Sequence, residues 1–248
     1  INKRALISSF REKDTTHIHG ESIIITGKDN KQIIRAFNNG KILRSNLSGK
    51  CDSIHFSQIT GIAQLINIKN NTGTESRKIK KPILWNNKSQ ITGDSIHIKF
   101  NTEKNIIDSL FVFENAFIIE KDTLDKGFNQ ISGKRLNGNF INGKLKEVDI
   151  IKNAESIYYL RNSENELIGI DKSKSAKIKI FINGQEIDNF TKINQIDGKV
   201  FPEDDFNIND KLLKGFYFRE DEIIKNIDDL FAEDSKYKLT VIKNLEKN

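Results

Sequence analysis

Phe140-Ile141-Asn142-Gly143 and Phe181-Ile182-Asn183-Gly184 are the same tetrapeptide, 41 residues apart (181 − 140). Asn-Gly suits a two-residue type I′ hairpin turn, in which both central residues need positive φ. Each copy lies between runs of alternating apolar residues. A turn signal repeated at an interval predicts one supersecondary unit used several times.

Working outward, three stretches align. Gly93-Asp94-Ser95-Ile96-His97-Ile98-Lys99-Phe100 leads into Leu110–Glu120. Gly133-Lys134-Arg135-Leu136-Asn137-Gly138-Asn139-Phe140 leads into Val148–Tyr159. Ala176-Lys177-Ile178-Lys179-Ile180-Phe181-Ile182 leads into Phe190–Phe201. Asn115-Ala116 in the first matches Asn153-Ala154 in the second. Upstream, Leu47-Ser48-Gly49-Lys50-Cys51-Asp52-Ser53-Ile54-His55-Phe56 echoes Ile91-Thr92-Gly93-Asp94-Ser95-Ile96-His97-Ile98, and His19-Gly20-Glu21-Ser22-Ile23-Ile24 is a weaker copy.

Each unit reads as strand, tight turn, strand, with half-units of about 20 residues. Ile96, Ile98 and Phe100 alternate with polar residues, which predicts one buried face. Leu110-Phe111-Val112-Phe113 is apolar on both faces, which predicts burial on both sides or an apolar cavity. In the third copy Ile178, Ile180 and Ile182 share a face, yet anchoring on Asn-Gly sets Phe181 opposite Phe140. A β-bulge absorbs that one-residue difference. The expected architecture is all-β: stacked hairpins in an open β-jelly roll or solenoid, each unit stabilised by its neighbours. Its ends offer unpaired strand edges.

The residues 1–218 form the repeat region in this reading, and 219–248 form a C-terminal helix and charged tail. Ile223, Ile224, Ile227, Leu230 and Phe231 follow a helical stripe behind Glu220, Asp221 and Glu222. The segment after Glu233 is expected to be loosely held.

The 248 residues carry 40 Lys+Arg against 34 Asp+Glu, a net +6. The basic residues are scattered, apart from Arg77, Lys78, Lys80 and Lys81, so nucleic acid is not an expected partner. No run approaches the ~18 apolar residues that span a bilayer. The chain opens on Ile1 and contains no Met, which predicts a segment of a longer protein.

No nucleophile elbow, phosphate-binding loop or His-Glu-x-x-His motif is present. Asp204-Asp205 and Asp228-Asp229 read as solvated acids. His17 and His19 share a strand face. His55 and His97 occupy equivalent repeat positions, with the single Cys51 expected on the face of His55. Their spacing fits no zinc module, so neither a metal nor another cofactor is expected. Lys177 and Lys179 share a strand face, where charge opposes aggregation. The remaining candidates are the apolar strand faces: Phe56, Ile96, Ile98, Phe100, Phe111, Phe113, Phe117 and Phe140 either line a groove for acyl chains or fill a dry core.

Leu47–His55, Pro82-Ile83-Leu84-Trp85-Asn86 and Gln90–His97 resemble, in order, the OstA-like (organic solvent tolerance) proteins of Gram-negative envelopes. Asn115-Ala116-Phe117-Ile118, Gly127-Phe128-Asn129-Gln130, Asn153–Tyr159, Leu167-Ile168-Gly169-Ile170, Phe201-Pro202-Glu203 and Leu213-Lys214-Gly215-Phe216 continue the series. The resemblance runs from Arg4 to Glu222. It implies an open β-jelly roll related to the periplasmic bridge proteins of lipopolysaccharide transport, without catalytic residues. The implied partners are lipopolysaccharide or a related lipid, and other β-jelly-roll transport proteins or an outer-membrane translocon. The implied compartment is the periplasm, with possible attachment to the outer membrane.

Two functions follow as expectations. In one, the trough binds or conducts lipopolysaccharide. In the other, the core is closed and dry and the strand edges recruit an envelope partner. A polysaccharide-acting solenoid enzyme requires clustered acids on one strand face, and the sequence has no such cluster.

Overall fold

The computed structural model describes residues 2–9, 15–67, 81–86, 88–104, 106–122, 124, 127–183, 186–207 and 210–234. Its strands are β1 (Asn2–Ser9), β2 (Thr16–Thr26), β3 (Ile33–Arg44), β4 (Leu47–Ser57), β5 (Ile62–Ile66), β6 (Ile83–Asn86), β7 (Ser89–Thr92), β8 (Ser95–Asn101), β9 (Ile106–Lys121), β10 (Phe128–Ile141), β11 (Lys144–Arg161), β12 (Leu167–Asn183), β13 (Glu186–Ile193) and β14 (Asp197–Phe201). All pairings are antiparallel. The order is β1-β2-β3-β4-β5-β8-β9-β10-β11-β12-β13. Off this path, β6 joins β4 to β7, β7 pairs β9, and β14 pairs β12.

The long strands bend within themselves instead of ending at tight turns. Registers shift between Phe37 and Gly40, between Gly133 and Arg135, and between Ile151 and Ala154. At the bends two consecutive residues adopt left-handed φ: Asn38 and Asn39, Glu114 and Asn115, Lys152 and Asn153, and, between β13 and β14, Asn194 and Gln195. Five of these eight are Asn, the non-glycine type that best tolerates that region.

The inside of each bend is small. Gly20, Gly40, Cys51, Gly93, Ala116, Gly133, Ala154 and Ser175 occupy it. A Cβ on Gly93 would lie 2.2 Å from Val112 Cγ1, and one on Gly133 would lie 2.5 Å from Ile150 Cγ2. Inward positions across the bend are four apart on the left-handed strands (Val112 and Ala116, Ile150 and Ala154) and three apart on their partners (Cys51 and Ile54, Gly133 and Leu136).

The bends divide the sheet into two arms facing each other. We call the arm containing β5, β8 and β13 arm A, and the arm containing β6, β7 and β14 arm B. β4 and β9 run through both. The pairings therefore close into a ring of six strands, β4-β5-β8-β9-β7-β6. One apolar core runs between the arms from Ile18 to Ile180.

Three expectations change. Strand–turn–strand units are bent strands of up to 18 residues. The two Phe-Ile-Asn-Gly copies are not equivalent. Asn142 and Gly143 form the expected positive-φ turn (52° and 74°), but in the second copy Asn183 already pairs with Glu186. Bulges at Asn139/Phe140 and Phe181/Ile182 accompany the slip, so Phe140 is buried and Phe181 is exposed. The C-terminal helix is absent from the described residues; Glu220–Glu222 and Asp228–Phe231 are short 3-10 turns. Asp229 Oδ2 accepts the backbone N–H groups of Lys225 and Asn226, and Asn226 Oδ1 accepts that of Asp229, a local alternative to helical bonding. The tail after Asp234 and the basic residues Arg77, Lys78 and Lys80 lie outside the described residues.

The bends give a test. Gly93→Ala and Gly133→Ala force a methyl against stiff β-branched side chains and should each cost about 1–3 kcal/mol in urea denaturation. Gly138→Ala, whose Cβ would meet nothing nearer than 3.2 Å, should cost clearly less.

Candidate functional site

Between the arms the inward residues of β3, β4, β5, β8, β9, β10, β11 and β12 interdigitate. Ile54, Ala63, Leu65, Ile96, Ile150, Ala154 and Ile178 are fully buried. Ile96, Ile98, Phe100 and Phe140 belong to this core, and Phe56 packs against it half-buried, 6.1 Å from the Phe100 ring. At the free ends of the arms, the Arg44 guanidinium from arm B lies 5.7 Å from the centre of the Phe100 ring in arm A.

Toward β13 the interior turns polar. Ser156 and Ser173 hydroxyls lie 3.0 Å apart, and Ser173 Oγ donates to Asp171 Oδ2 at 3.1 Å. Lys192 of β13 reaches across from arm A to Asp171 of arm B at 2.6 Å. Asp171, Ser156 and Ser173 are all buried. This clasp ties the arms together where the stack ends.

Phe111 and Phe113 face the other way. They lie half-buried on the outer face of arm A, with ring centres 6.5 Å apart and Arg135 over Phe113. Their strand is therefore not buried on both sides. His97 stands 4.8 Å from Phe113, and His55 stands 5.8 Å from Phe37 on the same outer face. Burial lowers the pKa of both histidines, with Arg35 adding to the effect at His55. Cys51 is on the opposite, inner face because the bend at Asp52 reverses the alternation; burial pushes its thiol pKa up.

The outer face of arm B carries a covering that the strand patterns do not reveal. After Phe201 the chain turns back and crosses the strands of arm B as an irregular strap, described over residues 202–207 and 210–234. One lateral row beneath it contains Trp85, Gln90, Ile119, Gln130 and Ile157, each opposite the next. Both glutamines are buried, and both grip strap backbone. Gln130 donates to Lys211 O at 2.7 Å and accepts from Leu213 N at 2.8 Å. Gln90 donates to Tyr217 O at 2.7 Å and accepts from Arg219 N at 2.8 Å. The clamps are two strands apart, roughly 10 Å, and six strap residues apart. Phe206 and Leu213 pack on Phe117, Ile119, Ile157 and Tyr159, so Phe117 is a strap contact, outside the inter-arm core. Phe128 packs against Phe216 and Phe218 at 5.1 and 5.0 Å.

Farther along, the contacts are ionic. Lys50 pairs with Glu222 at 3.1 Å and Glu233 at 2.7 Å. The fully buried His19 bonds Ala5 O and Asp234 Oδ1. Lys41 donates to Asp229 O and Leu230 O, and burial pushes its pKa down. His17, by contrast, pairs with Ser8 at 2.8 Å. The strap carries eleven acids and four bases, a net −7. The chain totals +6, so the rest carries +13 (36 bases against 23 acids). Acidic-apolar composition after Phe201 was the available signal, but helical periodicity obscured it.

No protein-family model and no curated protein matches the chain. Among solved structures it is similar to the crystal structure of LptH, described as the LptA homologous periplasmic component of the lipopolysaccharide transport device from Pseudomonas aeruginosa. The identity is 14%, the TM-score 0.43, and the match covers 63% of this chain and 95% of that one. A likeness at that level carries no functional argument by itself.

Gln130→Leu leaves a strap N–H and C=O without partners and should cost about 1–3 kcal/mol, with hydrogen exchange quickening first at Leu213. Acid should also loosen the strap. Burial alone would raise the Glu233 pKa, but Lys50 and Lys41 hold it below the ordinary value. Its contribution is therefore complete above the unfolded carboxylate pKa and is lost as pH falls through the depressed one. The sole tryptophan, Trp85, lines a cleft of about 460 Å³ with Ile223 and Ile224. Its emission should shift to the red over that acid range, and Glu233→Gln should abolish the part of the shift due to this carboxylate.

Proposed function

We propose that the chain is a non-enzymatic joining module of the periplasm, part of a series of β-jelly rolls that handles lipopolysaccharide. Its strand edges recruit the neighbouring module, and its interior stays closed. The carrying observation is the contrast between interior and edge. The space between the arms is filled and clasped by Asp171 and Lys192, while among the described residues no strand covers the outer edges of β13 and β14. Unpaired edges supply backbone donors and acceptors that an added strand satisfies. The resemblance to envelope proteins supplies the compartment and the lipid.

A second reading is lipid binding by the same interior. One observation favours it: Ile182, Ile187 and Phe190, on the last layer, are only partly buried. An acyl chain entering there would gain about 25 cal/mol per Å² of apolar surface, but it would meet the Asp171–Lys192 pair.

Site-specific photo-crosslinking in cells separates the two readings. Probes at Asn189 and Thr191 on the edge strand should capture protein. Probes at Ile98, Ile150 and Ile178 should capture no lipid. Lipid adducts at the inner positions, with the edge positions silent, would replace the joining module with a conduit.

A further inference from the structure

Among its described residues the strap makes no strand ladder. Its ties to the sheet include the two glutamine clamps, the ion pairs on Lys50, Lys121 and Lys172, the His19–Asp234 hydrogen bond, the Lys41 and Arg219 bonds to backbone carbonyls, and the apolar side chains between them. It is tethered through Pro202, which follows β14 directly in an extended conformation (φ −57°, ψ 152°). Exposed Glu203, Asp204 and Asp205 come next. It thus departs from the free edge where a neighbour would add.

The direction of the strap matters. It contacts β12 first, then β10, β7, β4 and β3, and ends at β2. It therefore runs from the C-terminal end of the stack to the N-terminal end. Consider two copies meeting edge to edge through β13 and β14 about a two-fold axis. A strap extended forward from one copy enters the other copy's arm B at its C-terminal end. It then runs in the same direction as the strap does at home. A head-to-tail neighbour would present the reverse direction, and the clamps at Gln130 and Gln90 would meet the wrong backbone groups.

We propose that the outer face of arm B is a docking groove for the strap of a second copy of this chain, and that two copies joined tail to tail exchange straps. This rests on the edge-joining reading and deepens it by naming one occupant of that edge. The strap contacts from Phe206 onward are reproduced in the exchanged form; exchange opens the Glu203–Asp205 turn at the tether, with its contact to β12, and adds the edge pairing. The −7 strap on a +13 remainder favours strap on groove in either arrangement. It also disfavours strap against strap and groove against groove.

Charge exchange tests this in the full-length chain. Lys50→Glu spoils the groove and leaves the strap intact. Glu233→Lys spoils the strap and leaves the groove intact; Glu222 is kept, because it also pairs with Arg219 within the strap at 2.8 Å. Each variant is mismatched with itself, but mixed together both straps find matched grooves only in trans. Light scattering after size exclusion should show a one-to-one dimer in the mixture, at least about tenfold tighter than self-association of either variant. If a variant does not fold alone by circular dichroism, co-expression of the pair tests the same pairing. A mixture that stays monomeric overturns strap exchange. Wild-type dimers unaffected by either substitution also overturn it, while leaving edge joining intact. Loss of edge crosslinks at Asn189 and Thr191, with the mixed dimer still formed, removes the edge-joining reading instead.

Discussion

The small residue inside each bend is the constraint on which the rest of this structure depends. A strand carrying ordinary side chains cannot fold its own inner face toward itself, because the residues on either side of the bend would collide. Gly93 and Gly133 remove the Cβ altogether, and Ala116 and Ala154 keep only a methyl. The extra backbone length comes from paired left-handed residues on alternate strands, mostly Asn. Once every layer bends at the same place, the two arms face one another and bury a shared core. No layer could exclude water from such a core alone, so stability is collective.

Bending also creates a second buried surface. Arm B has its inner face on the core and its outer face under the strap, so its strands are apolar or specifically polar on both sides. Gln90 and Gln130 show what that requires. A buried amide is costly unless both its groups are satisfied. Each glutamine achieves this by offering one donor and one acceptor to the backbone of a chain that crosses the strands. The irregular strap, whose own backbone bonds close isolated turns, is thereby supplied with partners at two places six residues apart.

Much of the repeat was legible in the sequence. The matches of Gly93-Asp94-Ser95-Ile96 with Cys51-Asp52-Ser53-Ile54, and of Asn115-Ala116 with Asn153-Ala154, are the bend positions themselves. Local pattern could not say that they bend one strand instead of linking two, because polar and small residues serve both purposes. The face of Cys51 was misjudged for the same reason: a bend changes the alternation by one residue. Phe111 and Phe113 alternate regularly with Leu110 and Val112, opposite His97 and Ser95, and a run that is apolar on both faces does not tell which face is inward. The strap was harder still. Its apolar spacing is helical, and only the competing Asp229 and Asn226 side chains and the distant clamps make it irregular. Even so, motifs quoted separately for the envelope resemblance meet in space. Gln130 holds Leu213, and Phe128 packs on Phe216.

The β13 end of the interior is polar, and that chemistry bears on partner choice. Backbone edges are nearly blind to sequence: any extended strand can add to β13 or β14. What a newcomer must also do is continue the inner face. On the arm A side it meets Ile187 and Phe190, and beside them Lys192 already committed to Asp171. A neighbour presenting only apolar side chains would bury that ion pair further without adding a polar contact, which is costly. A neighbour presenting a hydroxyl or amide there would extend the Ser156–Ser173–Asp171 network. Selectivity at this end of the stack therefore resides in a few polar side chains between the arms, while affinity resides in the ladder outside them.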